Sequence, residues 1–309
     1  MEIYIIKSIT LKSRLTRLFL SAFVLLASFS NAQMIYNLEG NAFTDLPYFD
    51  TNFIRVNKIK SISGNYSRKK DGDMIRNTND IFEYKFDSLG YLISTFETKS
   101  VENSKTDTLL NYYEYTIAGK ISLHRKSEYG GISSFHYKYD SLNRLIHVEN
   151  RRDVLDKEGK VVNTIVINQE LMKYFPIEGG WKKVIYNNYN LPYLEEIEKR
   201  NTDGYLIETT QRMRMASSEY SKKYAYNEKG LLARVSMFHS ELVAPYEEWI
   251  FKYDTFGNVI EKHIYKNEKF TKDLQIIYDT KTQLLGSTIQ KETSSNYMMI
   301  LRFQNYKFY

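Results

Sequence analysis

The sequence predicts an all-β fold: a long, twisted and curled antiparallel sheet of repeated β-hairpins. Three observations predict it. The 309 residues include 27 Tyr and only 4 Pro, and aromatic side chains favour pleated, half-buried surfaces. A short pattern returns along the chain: aromatic, any, aromatic, Asp-like, any, any, Gly-like, any, aliphatic. Each return carries the chemistry of a reversal between two strands.

The first 32 residues stand apart. Lys7, Lys12, Arg14 and Arg17 precede the apolar run LFLSAFVLLASF, followed by Ser30-Asn31-Ala32. A basic region, an apolar stretch and a small-x-small site read as a secretory signal peptide. The run is too short for the ~20 residues a membrane helix needs. Cleavage is expected after Ala32, and the destination is periplasm, cell surface or medium. Without residues 1–32, which carry four cations and one anion, the net charge falls from +6 to +3. That near-balance removes the main support for nucleic-acid binding. The chain has no Cys, so core packing and hydrogen bonding must hold an exported fold without disulfides.

Residues 33–80 are less regular and are expected to cap the array, with an opening, degenerate hairpin around VNKIKSISG and Arg68–Met74. From 81 to 309 the hairpins follow in series. Strong copies are Tyr84-Phe86-Asp87-Gly90-Leu92, Tyr137-Tyr139-Asp140-Asn143-Leu145, Tyr224-Tyr226-Asn227-Gly230-Leu232 and Phe251-Tyr253-Asp254-Gly257-Val259. Tyr113-Tyr115-Thr116-Gly119-Ile121 is nearly as good. Degenerate copies begin their turns at Asp156, Asn187, Asn201 and Asp279, the last with Leu284 as its aliphatic. The stretch 163–183, with Pro176 and Gly179-Gly180, reads as a long loop between two halves.

Asp or Asn at the first turn position accepts hydrogen bonds from the backbone that follows it. Gly or Asn three residues on reaches φ > 0, which suits a type I turn closed by a G1 bulge. This register pairs Asp140 with Arg144, Tyr139 with Leu145 and Tyr137 with His147. In the first copy it places Phe82, Tyr84, Phe86, Leu92 and Phe96 on one face and Glu83, Lys85, Asp87, Thr95 and Glu97 on the other. A lone hairpin is marginal in water, so the units must pair edge to edge. Nine of them make about eighteen strands. Open sheets rarely exceed roughly ten strands without curling, so the array should wrap on itself and bury an aromatic face.

The unit, standing here as YKFDSLGYL, YKYDSLNRL and FKYDTFGNV, resembles the RHS/YD-repeat family over about residues 56 to 290. That resemblance implies hairpin strips that spiral into hollow shells. Large members enclose a C-terminal toxin; others act at cell surfaces or bind carbohydrate. This chain is too short for a large cocoon, and 286–309 still reads as strand. The resemblance therefore implies a small exported YD-repeat protein.

Candidate chemistry is sparse. The sequence lacks G-x-S-x-G, H-E-x-x-H, a phosphate-binding P-loop and G-x-G-x-x-G. If Tyr129-Gly130-Gly131 is a three-residue loop, His124 and His136 face each other, but no third ligand joins them and no metal is expected. Glu196 and Glu198 share a strand face and are the acids a glycan-active hydrolase would use; Glu241 and other acids are scattered. Alternating acids are otherwise the wet side of a strand. Tyr84, Tyr113, Tyr137, Tyr224 and Tyr253 are the candidate ligand-binding rings, since a ring with a polar tip suits stacking on a sugar. The same rings would equally form ladders within the sheet's own core. Asp87, Gly90, Asp140, Asn143, Asn227, Gly230, Asp254 and Gly257 are the structural turn residues.

The leading expectation is an exported, non-enzymatic binding or scaffold protein that contacts a glycan or a cell-envelope protein and uses no cofactor. The alternative is an outer-membrane β-barrel, for which the aromatic C-terminal stretch LRFQNYKFY speaks. A hydrolase comes third.

Overall fold

Asp87 opens a corner that recurs through the molecule. In this computed structural model, which describes residues 33–44, 46–100, 106–128, 131–156, 158, 160–216 and 218–309, the amide of Gly90 donates to Asp87 O at 3.0 Å and that of Asp87 to Tyr91 O at 3.0 Å. The Asp87 carboxylate accepts from the amides of Leu89 and Tyr91, and Gly90 takes φ 91°. Asp140–Asn143, Asn227–Gly230 and Asp254–Gly257 repeat the backbone pattern, with φ 58° at Asn143, 74° at Gly230 and 89° at Gly257. Backbone and side-chain hydrogen bonds from Arg144 hold the Asp140 carboxyl below the usual carboxylate range. The expected signal peptide, residues 1–32, lies outside the described residues.

These corners join strands β1 (Ile59–Lys69), β2 (Arg76–Phe86), β3 (Leu92–Ser100), β4 (Thr106–Tyr115), β5 (Ile121–Glu128), β6 (Gly131–Tyr139), β7 (Leu145–Leu155), β8 (Val161–Ile177) and β9 (Gly180–Tyr186). The series continues through β10 (Pro192–Arg200), β11 (Leu206–Met213), β12 (Glu219–Tyr226), β13 (Leu232–His239), β14 (Glu247–Tyr253), β15 (Val259–Lys266), β16 (Lys269–Tyr278), β17 (Leu285–Glu292) and β18 (Met298–Phe308). Each strand pairs antiparallel with the next, and β18 pairs with β1 from Ile59↔Phe308 to Lys69↔Met298. The expected open, curled sheet is therefore closed: eighteen strands form an up-and-down barrel. Closure satisfies the two edges that an open sheet would leave unpaired.

One extra residue in each corner hairpin decides which side chains face inward. The ladder shifts between Lys85 and Phe86, so Tyr84 pairs with Thr95 and Phe86 with Leu92. The same shift occurs beside Tyr115, Tyr139, Tyr226, Tyr253 and Tyr278. This bulge follows the consensus aliphatic, where a second apolar residue such as Ile93, Ile146 or Ile260 stands. It corrects the simple register: Thr95 and Glu97 share the face of Tyr84, Phe96 opposes Glu83, and Tyr137 pairs with Val148 rather than His147. At the last corner the turn is one residue longer. Gln283 donates to Asp279 O, and Leu285, not Leu284, opposes Tyr278.

The stretch 163–183 is not a loop. Its β-branched run extends β8, which turns at Glu178-Gly179 into β9. Most Asp-type corners sit at one rim, because they follow even-numbered strands; Asp156 and Asn187 follow β7 and β9 and lie at the other. We call these the corner rim and the far rim.

Inside the barrel lies the stretch that leads into β1. Residues 33–50 form a loop closed by the Ile35↔Phe49 bridge, followed by α1 (Thr51–Val56), whose N-cap Asp50 accepts from the amide of Phe53. Met34, Ile35, Phe49, Phe53 and Ile54 are buried with Phe82, Phe86, Leu232, Val259 and Leu285 of the wall. Each such side chain contributes about 2 kcal/mol of apolar burial. Barrels of 16–18 strands otherwise leave an open channel. Here the segment enters beside the corner rim, reaches Lys262 and Trp249 near its midpoint, and returns to Gly90.

Candidate functional site

Residues directly opposed in an antiparallel ladder share a face, so the inner wall can be followed around the ring. Tyr84 opposes Thr95, which opposes Asn111; Tyr113 opposes His124, which opposes Phe135. Farther round, Tyr224 opposes Val235, Val235 opposes Trp249, and Trp249 opposes Ile264. Tyr84, Tyr113, Tyr137, Tyr224 and Tyr253 all point inward. Tyr84 and Tyr113 are buried, and the other three are half-buried. Burial raises the phenol pKa of Tyr84, Tyr137, Tyr224 and Tyr253, the last to about 12. Tyr253 is not equivalent to the other four. It occupies the second aromatic position of the unit, where Tyr139 and Tyr226 stand, and Phe251 takes the first.

Between Phe43, Thr44, Leu46 and Tyr48 of the inner segment and the walls β1–β5 and β15–β18 lies a cavity of about 500 Å³. Aromatic rings form much of it: Tyr48, Tyr66, Tyr84 and Tyr113, with His124 stacked on Tyr113 at 4.7 Å and 11°. The Tyr48 hydroxyl lies 3.5 Å from that of Tyr84, and burial pushes the Tyr48 phenol up to about 12. Tyr66 is raised by burial and by Glu97, to which its hydroxyl donates. Thr95, Asn111 and His124 form a polar chain across three strands, Nδ2 of Asn111 lying 2.9 Å from Thr95 Oγ1 and its Oδ1 2.9 Å from His124 Nε2.

Charge in this cavity is uneven. Among the described residues it is lined by Lys126, Lys262 and Lys272 against the single carboxylate of Glu97. Lys262 is 5% exposed. Its Nζ lies 4.0 Å from the Trp249 ring centre, 5.6 Å from that of Phe251 and 3.5 Å from Ala42 O. Burial lowers its pKa to about 8, and Glu247 offsets only part of that. Sequence patterning missed this lysine, because Lys in an alternating strand reads as solvent-facing.

The expected histidine pair does not form. Glu128 pairs with Gly131, so the register runs one residue tighter than a three-residue loop allows, and Tyr129-Gly130 lies outside the described residues. His124 opposes Phe135 inside the barrel; His136 opposes Leu123 on the outer face. Glu196 and Glu198 do share a face, but it is the inner wall rather than a wet exterior. Lys183 and Gln211 engage Glu196, and Arg200 stands 3.7 Å from Glu198. Glu241 stands exposed beyond β13, with its side chain 3.9 Å from His239.

The outer wall carries matched charges: Glu83–Lys85, Arg125–Asp153, Glu149–Arg151, Lys182–Glu195, Lys199–Glu208 and Lys252–Glu261. Among the described residues no helix is long and apolar enough to cross a membrane.

No protein-family model and no curated protein matches this chain. Solved structures with a distant likeness exist. The crystal structure of TcdB2-TccC3-Cdc42 is 14% identical with a TM-score of 0.32, over 78% of this chain and 14% of that one. A porin-like protein from Bacteroides uniformis is 10% identical with a TM-score of 0.39, over 81% of this chain and 98% of that one. The Photorhabdus luminescens Tc holotoxin pore is 10% identical with a TM-score of 0.21, over 70% of this chain and 14% of that one. This chain thus spans about one-seventh of the Tc toxin chains it resembles.

Proposed function

We propose that this chain is an exported, non-enzymatic binding protein that holds a small ligand inside its barrel. The observation that carries this reading is the division of the wall. Rings and lysines line the cavity with Glu97 as the one carboxylate among its described lining residues, while ion pairs cover the outside; the inner-wall pair Lys183–Glu196 does not line that cavity. A cavity of about 500 Å³ lies in the range of ligand pockets, and its aromatic lining suits a ring-shaped ligand such as a sugar. The repeat resemblance and the N-terminal segment support export.

A second reading has one observation in its favour. A closed ring of eighteen antiparallel strands is also the architecture of an outer-membrane barrel. Its lipid-facing side should then be an apolar band, and charges there cost about 2–4 kcal/mol each near the bilayer midplane. The charged outer wall, with Asp153 buried on it, supports the aqueous reading instead.

Fractionation tests the choice. The binding-protein reading expects release with soluble envelope or medium proteins and a monodisperse species without detergent. Extraction by detergent alone would overturn it in favour of the membrane barrel.

A further inference from the structure

We infer that the cavity binds a small organic carboxylate, with its anionic group at Lys262 and its body against the tyrosine wall. This deepens the binding-protein reading and rests on it.

Buried charges in folded proteins are normally paired or hydrogen-bonded. Lys262 is 95% buried by its 5% exposure, yet its closest described contacts are ring faces and one carbonyl at 3.5 Å. Among the described residues it makes no ion pair. Its neighbour across the ladder, Leu274, is apolar. Glu247, the acid nearest in effect, is held by Trp249 Nε1 at 2.7 Å and stands 3.6 Å from Lys266. An ammonium desolvated at a cavity wall, with a ring stacked on one side, lacks only a counterion on the other.

The rest of the lining favours an anion in the same place. Lys126 and Lys272 add two cations. Lys272 approaches Glu292 at only 3.9 Å, and Glu97 is engaged by Tyr66. Tyr84, Tyr113 and the Tyr113–His124 stack offer flat faces to a ring. A ring-bearing carboxylate combines both features. Sugar acids and aromatic acids share this chemistry, and the test separates them.

Titration calorimetry of the purified protein with glucuronate, benzoate and glucose tests the inference. At least one carboxylate should bind tenfold or more tightly than glucose. Tighter binding of glucuronate identifies a sugar acid, and of benzoate an aromatic acid. Lys262→Met should weaken the preferred carboxylate at least tenfold. Lys126→Met, at a less buried position, should weaken it several-fold and serves if the first variant does not fold. Glucose binding as tightly as either acid overturns the carboxylate assignment and leaves the lumenal binding reading standing. Carboxylate binding that both variants leave unchanged also overturns it. Absence of binding by all three probes overturns the assignment and removes support from the wider reading.

Discussion

The hydroxyl of Tyr253 donates to the carbonyl of Leu232 at 2.7 Å, linking the end of β14 to the start of β13. The bond recurs around the corner rim: Tyr115 to Leu92, Tyr139 to Ile121, Tyr174 to Leu145, Tyr226 to Leu206, Tyr278 to Val259 and Tyr306 to Leu285. In most cases the acceptor is the aliphatic residue just before the bulge, where the ladder is interrupted and a carbonyl needs a partner. Where the second aromatic of the unit is a tyrosine, as at Tyr115, Tyr139, Tyr226, Tyr253 and Tyr278, its hydroxyl serves the fold as much as its ring. Tyr253→Phe should lower stability by about 1–2 kcal/mol. Asn37 also donates to this hydroxyl, at 3.0 Å, so the inner segment should loosen as well. A urea midpoint equal to that of the unmodified protein would show that these bonds add nothing.

Glycines at equivalent corners should differ sharply in tolerance. A Cβ on Gly90 would stand 2.0 Å from Thr51 O and 3.1 Å from Arg55 N, where α1 docks on the corner. A Cβ on Gly204 would meet nothing within 4 Å, although both residues have positive φ, 91° and 85°. Gly204→Ala should cost about 1 kcal/mol of backbone strain. Gly90→Ala must also displace α1 and should cost several times as much. Comparable thermal midpoints for the two variants would mean that α1 is not fixed against this corner.

Asp153 supplies a test of the outer wall. It is 3% exposed, accepts from Ser134 Oγ at 3.1 Å and Thr164 Oγ1 at 3.2 Å, and pairs with Arg125 at 3.5 Å. Asp153→Ala leaves the buried Ser134 hydroxyl, the exposed Thr164 hydroxyl and the Arg125 guanidinium without their acceptor. The expected cost is about 2–4 kcal/mol in chemical denaturation. A loss below 0.5 kcal/mol would place this cluster among ordinary surface pairs.

Much of this architecture was legible in the residues. Asp140 and Asn143 announce a reversal because one supplies an acceptor and the other tolerates positive φ, and both requirements are local. The number of strands followed from counting the units. Closure did not, because it depends on β1 meeting β18, residues more than 200 positions apart that share no local signal. The faces of Thr95, Phe96 and Glu97 were misread for a different reason. A bulge adds one residue without a mark of its own, and the apolar Ile93 that signals it reads equally as a second buried face. His136 was misplaced by one step of the β5–β6 loop, enough to send it to the opposite wall. The inward tyrosines were visible as a set, whereas Lys262 was hidden. Its burial comes from the inner segment 33–50 seated against β15, a contact between distant stretches that alternation cannot encode.

Lys262 should also set the alkaline pH dependence of stability. Its pKa is about 8 in the folded protein, against about 10.4 for an ordinary lysine. Below pH 8 both states carry the proton, and folding bears the full cost of burying the ammonium, on the order of 3 kcal/mol. The Trp249 ring offsets some of this, by about 1 kcal/mol. Between about pH 8 and 10.4 the unfolded chain holds more protons than the folded one, so stability rises with pH. Above about pH 10 the sign reverses. Buried phenols such as Tyr48 and Tyr253, raised to about 12, keep protons that the unfolded chain loses, and stability falls through their folded pKa. Urea unfolding from pH 7 to 11 should therefore show a maximum near pH 10. Lys262→Met should be more stable than the unmodified protein at pH 7 and should lose the rise between 8 and 10 while keeping the fall above it. An unmodified protein whose stability is flat or declining from pH 8 to 10 would mean that Lys262 is solvated in the folded state, and the carboxylate site built on its burial would go with it.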